Sequence, residues 1–147
     1  PIGTAPVQVG FTPSGDQVYV SLRDENRVAV IDTASREVTN RIDVGPNPIQ
    51  MVATPDGAYV YVGNQGTDAE PNNTVSVIDT ATGQVVKTLT TGGGAHGVSA
   101  STDGAFVFVT NIADDTVSII DVGSQEVVKT VPVGDRPNGI VYGGPTR

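Results

Sequence analysis

The stretch that decides the fold is Pro55–Leu89, PDGAYVYVGNQGTDAEPNNTVSVIDTATGQVVKTL. Apolar and polar residues alternate in Ala58–Gly63 and again in Thr74–Ile78, which places every second side chain on one face of a strand. Val, Ile, Thr and Tyr dominate both runs, and these residue types favour half-buried strands. The pair Asp56-Gly57 marks a turn in which glycine adopts a positive φ. The stretch therefore predicts short strands separated by turns.

The same pattern occurs three times along the chain. A Gly-x-x-Pro/Ala step recurs, and both the interval from Gly3 to Gly45 and the interval from Gly92 to Gly134 are 42 residues. The middle interval is 47 residues, so the second copy carries five extra residues. A period in the low forties with four strand-like runs per unit is typical of a β-propeller blade. The four runs of the first unit are Val7–Thr12, Gln17–Leu22, Arg27–Asp32 and Glu37–Asp43.

The sequence thus predicts an all-β protein, a β-propeller with about three four-stranded blades and one strand of a fourth. The predicted units are residues 1–43, 44–90 and 91–132, followed by the first strand of a fourth unit in 133–147. The extra residues predict an exposed polar loop without strand pattern at Gly66–Asn73.

An arc of this size is shorter than a closed propeller, so we expect it to be part of a six- to eight-bladed ring. The ring would be completed by copies of this chain or by another chain, or the chain would be the C-terminal part of a longer propeller. The start at Pro1, without an initiator methionine, favours a fragment or a processed product.

Two segments resemble the YVTN family of β-propeller repeats. They are Tyr61-Val62-Gly63-Asn64 and Phe108-Val109-Thr110-Asn111, and Thr74–Thr82 is similar to the strand that follows in that family. The first copy, Tyr19-Val20-Ser21-Leu22, has leucine in place of the asparagine. The resemblance implies a periplasmic, extracellular or cell-surface protein, because family members include surface-layer proteins and periplasmic propellers. It implies no single function, since fold does not fix chemistry.

Charge and composition exclude several classes of function. The formal net charge is −8 and the sequence pI is about 4.3, which argues against a basic nucleic-acid interface and against binding to anionic membrane surfaces. Cysteine is absent, so the chain forms neither disulfides nor thiolate metal sites. No apolar run approaches the length of a membrane-spanning helix.

His96 is the only histidine in the chain, and it precedes a run that would line the central channel of a propeller. Among the propellers that the chain resembles, enzymes that bind copper or haem place their metal ligands at the entry to this channel-lining strand. The matching positions in the other repeats are Val7, Ile49 and Asn138. One histidine and one methionine, Met51, are too few to form a copper cluster. The sequence therefore predicts no metal and no cofactor in this chain.

The next column of the alignment holds glutamine in two repeats and glycine in the other two. A neutral amide at the channel mouth binds a ligand or water, and glycine allows close approach of a neighbour. Channel-wall packing is the alternative interpretation for these positions. The predicted channel-rim binding residues are Gln8, Gln50, His96, Gly97 and Asn138.

Acidic residues in the turns admit two interpretations. Asp32, Asp79 and Asp121 each end an apolar run, where an aspartate side chain accepts hydrogen bonds from nearby backbone N–H groups. The pairs Asp68 and Glu70, and Asp114 and Asp115, lie in predicted loops and are either solvated turn residues or calcium ligands. Their spacing does not match a calcium-binding loop, so we predict that the paired carboxylates are solvated turn residues and that Asp32, Asp79 and Asp121 hold their turns together.

Two functional hypotheses remain from the sequence. The first is a non-enzymatic exported propeller that acts as a scaffold or binding surface, with a protein or a small ligand bound at the channel mouth. This hypothesis is based on the sequence containing no recognisable set of catalytic residues, and on the resemblance to the YVTN family. The alternative is part of a periplasmic propeller enzyme, a redox protein or a lyase, with its site at that mouth and His96 in the site.

Overall fold

The computed structural model describes residues 1–144. This part of the chain forms three antiparallel sheets, each made of four strands that are consecutive in sequence, and the all-β propeller prediction is confirmed. The strands are β1 (Pro6–Phe11), β2 (Gln17–Leu22), β3 (Arg27–Asp32), β4 (Val38–Asp43), β5 (Pro48–Ala53), β6 (Tyr59–Gly66), β7 (Pro71–Asp79), β8 (Gln84–Thr90), β9 (Ala95–Ala100), β10 (Phe106–Asn111), β11 (Thr116–Asp121) and β12 (Glu126–Pro132). We call β1–β4, β5–β8 and β9–β12 blades 1, 2 and 3.

The three blades share the same strand pairing and the same bulge. The pairing between the third and fourth strands shifts by one residue at Val30/Ile31, Val77/Ile78 and Ile119/Ile120. Such a bulge increases the local twist of a sheet, and twisted sheets stack as propeller blades. The repeated register shows that the sequence period also sets the geometry of each blade.

The core lies between the blades. We call the face of a blade that is turned toward the preceding blade its front face, and the opposite face its rear face. Rear-face residues of blade 1, such as Tyr19, pack with front-face residues of blade 2, such as Met51. Tyr61 on the rear face of blade 2 packs in the same way with Val98 and Val107 of blade 3. Middle strands are therefore buried on both faces, more deeply than the alternation in Ala58–Gly63 predicted.

The outer faces of the arc are open. Val9 on the front face of blade 1 is 61% exposed, whereas its equivalents Met51 and Val98 are 4% and 6% exposed. An apolar cleft of about 310 Å³ follows this open face, beside Val9 and Val18. The exposure results from position and not from residue type, because the same column is buried wherever a preceding blade is present.

The insertion in blade 2 differs from the prediction of a loop. It lengthens the hairpin, since β6 continues to Gly66 and β7 begins at Pro71, with which Gly66 pairs. Only the short turn between them is irregular, and Thr67 N–H donates to Glu70 O at 3.0 Å. Polar residues continue a ladder here because hairpin pairing needs backbone groups and a turn, not an apolar face.

The segment that was predicted as the first strand of a fourth blade forms no sheet in residues 133–144. A strand requires a neighbour to pair with, and residues 1–144 provide none on that side. The segment nevertheless runs along β9, because Tyr142 N–H donates to Ser99 Oγ at 3.1 Å. The last part of the predicted fourth unit, 145–147, lies outside the described residues.

Candidate functional site

The inner strands β1, β5 and β9 bring the predicted rim residues into neighbouring positions. β5 contacts both β1 and β9, so equivalent residues of successive repeats face one another across blade boundaries. The final segment takes the next position after β9. Each candidate residue is therefore placed by its repeat, and contacts between candidates join adjacent inner strands.

His96 lies half-buried near the start of β9. Burial lowers the pKa of the imidazole, and a hydrogen bond with the backbone of Asn138 opposes this shift. Its Nδ1 atom is enclosed and has no hydrogen-bond partner. The lowered pKa favours the neutral imidazole, which is the form that binds metals.

Gly97 and Asn138 belong to the same contact between β9 and the final segment. Gly97 is buried, its N–H donates to Thr110 Oγ1 at 2.8 Å, and a Cβ atom on it would lie 3.1 Å from the Cα atom of Gly139. Asn138 is exposed. The glycine at this position therefore permits close packing between β9 and the final segment, with the exposed polar residue Asn138 beside it.

Gln8 is used in a contact between blades 1 and 2. Its side-chain oxygen accepts a hydrogen bond from Met51 N–H, and its own N–H donates to Ser21 Oγ at 3.1 Å. Ser21 Oγ donates in turn to Ile49 O at 2.7 Å. Gln50 lies half-buried on β5 next to Met51. The Gln8 side chain thus joins β1 to β5, and Ser21 on β2 adds a second bond to the backbone of β5.

The turn aspartates have the arrangement that the sequence indicated. Asp79 Oδ1 accepts hydrogen bonds from Thr82 N–H at 2.8 Å and from Thr82 Oγ1 at 3.0 Å. These bonds hold the pKa of Asp79 below its usual value. Asp32 and Asp121 make the same pair of bonds to Ser35 and Ser124. All three carboxylates close turns.

The loop carboxylates hold connectors between blades. Asp114 Oδ2 accepts from Gly93 N–H and Asp115 Oδ1 accepts from Arg136 N–H, both at 2.7 Å. Asp68 pairs with the Arg136 guanidinium at 3.6 Å. Among residues 1–144, no three His, Cys, Asp or Glu side chains gather closely enough to hold a metal ion.

Two structurally important residues were not singled out from the sequence. Asn64 and Asn111 are fully buried, and the Asn64 amide donates to Thr74 Oγ1 and Ser76 Oγ at 3.1 and 3.0 Å. Their Oδ1 atoms have no hydrogen-bond partner. The signal was available, because both are the asparagine that ends the YVTN-like motif.

A polar cleft of about 320 Å³ between blades 1 and 2 was also missed. Asp16, Asp32 and Asp56 line it. They come from separate turns, so no short motif unites them in the sequence. Asp32 and Asp56 already accept hydrogen bonds from their own turns.

The sequence matches the family of YNCE-like beta-propellers over residues 2–143. The chain belongs to this family. Within the described residues, no helix has the length and apolarity that a membrane crossing requires.

Two proteins show how this YNCE-like chain relates to larger molecules. It is 34% identical over 62 residues to Protein NirF of Stutzerimonas stutzeri, a match that covers 42% of this chain and 16% of NirF. A chain of Kuenenia stuttgartiensis hydrazine synthase has a similar structure, with a TM-score of 0.84 and 27% identity. That match covers 91% of this chain and 38% of the other. The YNCE-like chain therefore spans well under half the length of either protein.

Proposed function

We propose that the chain is a non-enzymatic arc of a β-propeller that serves as a scaffold and binding surface. The observation that carries this proposal is that polar side chains of blade 1 are used in bonds to the inner strand of blade 2. Gln8 and Ser21 bond to the backbone of blade 2, so they hold the wall of the channel. A channel wall built this way supports binding at its mouth without requiring reactive side chains.

The arc acts as part of a closed ring. Its front face is exposed at Val9, and burial of such apolar surface stabilises a protein by about 25 cal/mol per Å². Further blades, from this or another chain, cover the open faces. A protein or a small ligand then binds at the mouth formed by Gln8, Gln50, His96, Gly97 and Asn138.

The proposed location is the periplasm or the cell surface. The resemblance to YVTN repeats of the surface-layer and periplasmic type supports this location. Fractionation of the source cells tests it. Recovery with cytosolic markers would contradict it.

A second candidate is a segment of a periplasmic enzyme. The similarity to a chain of hydrazine synthase favours it, and the neutral His96 imidazole is the residue that would take part. The chain's own donor set fits a metal or haem poorly, because Met51 is buried between blades and His96 is the only histidine.

Metal analysis and a visible absorption spectrum of the native protein separate the two candidates. The scaffold proposal predicts a colourless protein with substoichiometric metal, and a His96→Ala variant with the same spectrum and metal content. A stoichiometric metal or a chromophore that the His96→Ala variant loses would replace the scaffold proposal with the redox version. Turnover of a substrate that is abolished by His96→Ala would replace it with the lyase version.

A further inference from the structure

The lengthened hairpin of blade 2 stands beside the start of β5, where the channel-rim column begins. Its backbone is bonded to the connector that leads into β5, since Gln65 N–H donates to Asn47 O at 3.1 Å and Gly66 N–H donates to Pro46 O at 3.2 Å. Among the blades of residues 1–144, only blade 2 carries such an extension of its second and third strands. The hairpin is therefore a fixed wall that this blade adds to the rim.

The two sides of this wall differ. On the side of blade 3 the hairpin closes over its neighbours, because Asp68 pairs with the Arg136 guanidinium at 3.6 Å and about 30 Å³ of space remains. On the side of blade 1 it leaves a cleft of about 400 Å³, which lies within the usual range of small-ligand pockets, about 300–1,000 Å³. Blades 1 and 2, which form the cleft, are both complete four-stranded sheets, so its shape requires no further blade.

We call this space the shoulder cleft. It lies between the 3₁₀ turn Arg23–Glu25 of blade 1 and residues Gln65–Asp68 of the hairpin, over Asn47 and Ile49. Ile49 is 8% exposed and provides an apolar floor. Ile49 also occupies the position that His96 has in blade 3, so the cleft adjoins the channel rim.

Two half-buried amides, those of Asn47 and Gln65, line the shoulder cleft. The bonds that fix these residues use their backbone groups, because Asn47 N–H donates to Asn26 Oδ1 at 2.9 Å and Gln65 N–H donates to Asn47 O. The side-chain amides are therefore left to bind a ligand, each with two N–H donors and a carbonyl acceptor. The cleft thus offers positioned donors and acceptors beside an apolar surface.

The charged groups of the shoulder cleft are already paired within the protein. Arg23 Nε donates to Asp24 Oδ1 at 2.7 Å, and Asp68 pairs with Arg136. An anionic ligand would have to compete with Asp24 for the guanidinium, in a chain whose net charge is −8. A cationic ligand would have to compete with an arginine for either carboxylate. A hydroxyl group, both donor and acceptor, can use the remaining N–H groups and lone pairs without breaking these pairs.

We propose that the shoulder cleft binds a neutral carbohydrate. Asn47 and Gln65 bond to its hydroxyl groups, because one amide can accept from one hydroxyl and donate to the adjacent one. The C–H face of a sugar ring lies on Ile49. The inference rests on the proposed role as a binding surface, and it adds a site and a ligand class to that role.

A glycan array screened with the labelled full chain tests the ligand class. The array carries neutral oligosaccharides of glucose, galactose, mannose and N-acetylglucosamine, together with anionic oligosaccharides that contain glucuronate and cationic ones that contain glucosamine. The proposal predicts binding to at least one neutral oligosaccharide. Binding to no neutral oligosaccharide, or to charged ones alone, would overturn it.

An NMR titration with the bound oligosaccharide tests the site. The side-chain amide signals of Asn47 and Gln65 should shift and saturate together. Gln65→Met removes one amide with little change in size and should weaken binding roughly three- to tenfold, the usual effect of one or two lost hydrogen bonds. Gln84→Met is the matched control, since Gln84 is an exposed residue at the start of β8, outside the cleft. Equal affinities of these two variants would contradict the proposed site.

A replacement of the hairpin removes the wall itself. In this variant the blade 3 turn, residues 112–115, replaces residues 65–73, so that blade 2 joins its strands as blade 3 does. The variant should fold, because the same turn already bonds its following connector through Val133 N–H and Asp115 O at 2.8 Å. Oligosaccharide binding should be lost, and binding at the parent's affinity would overturn the proposal. If this variant does not fold, the comparison of Gln65→Met with Gln84→Met decides.

The metal and spectral tests of the proposed function do not involve the shoulder cleft. A protein that stays colourless and metal-poor but binds no neutral oligosaccharide would retain the scaffold proposal and lose the carbohydrate site. A protein that carries a His96-dependent chromophore and also binds a neutral oligosaccharide through Gln65 would do the reverse. The two proposals therefore fail separately.

Discussion

Asn64 lies directly against Gly45, so that a Cβ atom built on this glycine would fall 2.6 Å from the side-chain Cγ of Asn64. Gly92 has the same relationship to Asn111, at 2.8 Å, and Gly3 lies against Leu22 in blade 1. The connector into each blade therefore packs on the residue that ends its second strand. This shared contact explains why glycine begins the connector of all three blades, whether asparagine or leucine ends the second strand.

Replacement of Gly45 by alanine should destabilise the protein by roughly 1–3 kcal/mol, the usual cost of overpacking a tight site. Asn64 cannot move aside cheaply, because it is buried and donates two hydrogen bonds. The measurement is urea unfolding followed by circular dichroism. Gly10→Ala is the control, since no atom lies within 4 Å of the added methyl group. Equal stability of the two variants would contradict the packing account.

Tyr61 should tolerate the loss of its hydroxyl group, whereas Tyr19 should not. The Tyr61 hydroxyl is buried without a hydrogen-bond partner, while Tyr19 donates to Gln17 Oε1 at 3.1 Å. Tyr61→Phe should leave the free energy of unfolding unchanged or raise it, and Tyr19→Phe should lower it by about 0.5–1.5 kcal/mol. Urea unfolding of both variants measures these changes. A larger loss of unfolding free energy in Tyr61→Phe than in Tyr19→Phe would contradict the unpaired state of the Tyr61 hydroxyl.

Tyr61 should also ionise late, at a pH well above the pKa of a free tyrosine. Burial raises the pKa of Tyr61 to about 12, with smaller contributions from Tyr59 and two aspartates. The pKa of Tyr61 in the folded protein exceeds the unfolded value of about 10. The free energy of unfolding therefore holds its full contribution from neutral Tyr61 below pH 10, and this contribution is lost as the pH rises toward 12. Absorbance at 295 nm should show a late phase that is missing in Tyr61→Phe. A late phase of unchanged amplitude in that variant would assign it elsewhere.

The sequence predicted those features that depend on residues close together in the chain. The bounds of β2 and β3 agree with the predicted runs, because alternation and the Asp-Gly type of turn are local signals. The role of Gln8 was not predictable in this way, since its partner Met51 is 43 positions away and belongs to another blade. Contacts between blades depend on stacking, which a single repeat does not encode.

The hairpin insertion and Val9 show two other limits of prediction from the sequence. Gly66–Asn73 carries polar residues that resemble a loop, yet backbone pairing extends to Gly66 and Pro71. Val9 has the alternation of a buried strand residue, yet it is exposed because no blade covers it. Residue type predicts the tendency to be buried, but burial itself is decided by the neighbouring sheet.

The turn aspartates should make the protein sensitive to acid. Hydrogen bonds hold the pKa values of Asp32, Asp79 and Asp121 below the ordinary value. Because the folded values are the lower ones, the stability they supply is present above about pH 4, the unfolded value. It is lost as the pH falls through the folded values. The triple variant Asp32→Asn, Asp79→Asn and Asp121→Asn should lose less stability than the parent between pH 5 and pH 2.5.

Urea unfolding at several pH values measures this difference. The single variant Asp79→Asn is the internal control and should show a fraction of the effect, because the three carboxylates share no hydrogen-bond partner. If the free energy of unfolding falls as steeply below pH 5 in the triple variant as in the parent, other carboxylates cause the acid sensitivity.

His96 gives a direct readout of the contact between β9 and the final segment. Burial lowers the pKa of the imidazole, so the titration of its single Cε1 proton signal in NMR should have a midpoint below the ordinary value of about 6.5. The folded value is the depressed one. The stability linked to His96 is therefore present above pH 6.5 and lost as the pH falls through the folded midpoint. In Tyr142→Ala, which lacks the stack on Phe108, the segment covers His96 less well and the midpoint should move back toward 6.5. An identical midpoint in the parent and the variant would mean that β9 and the channel wall alone enclose the imidazole.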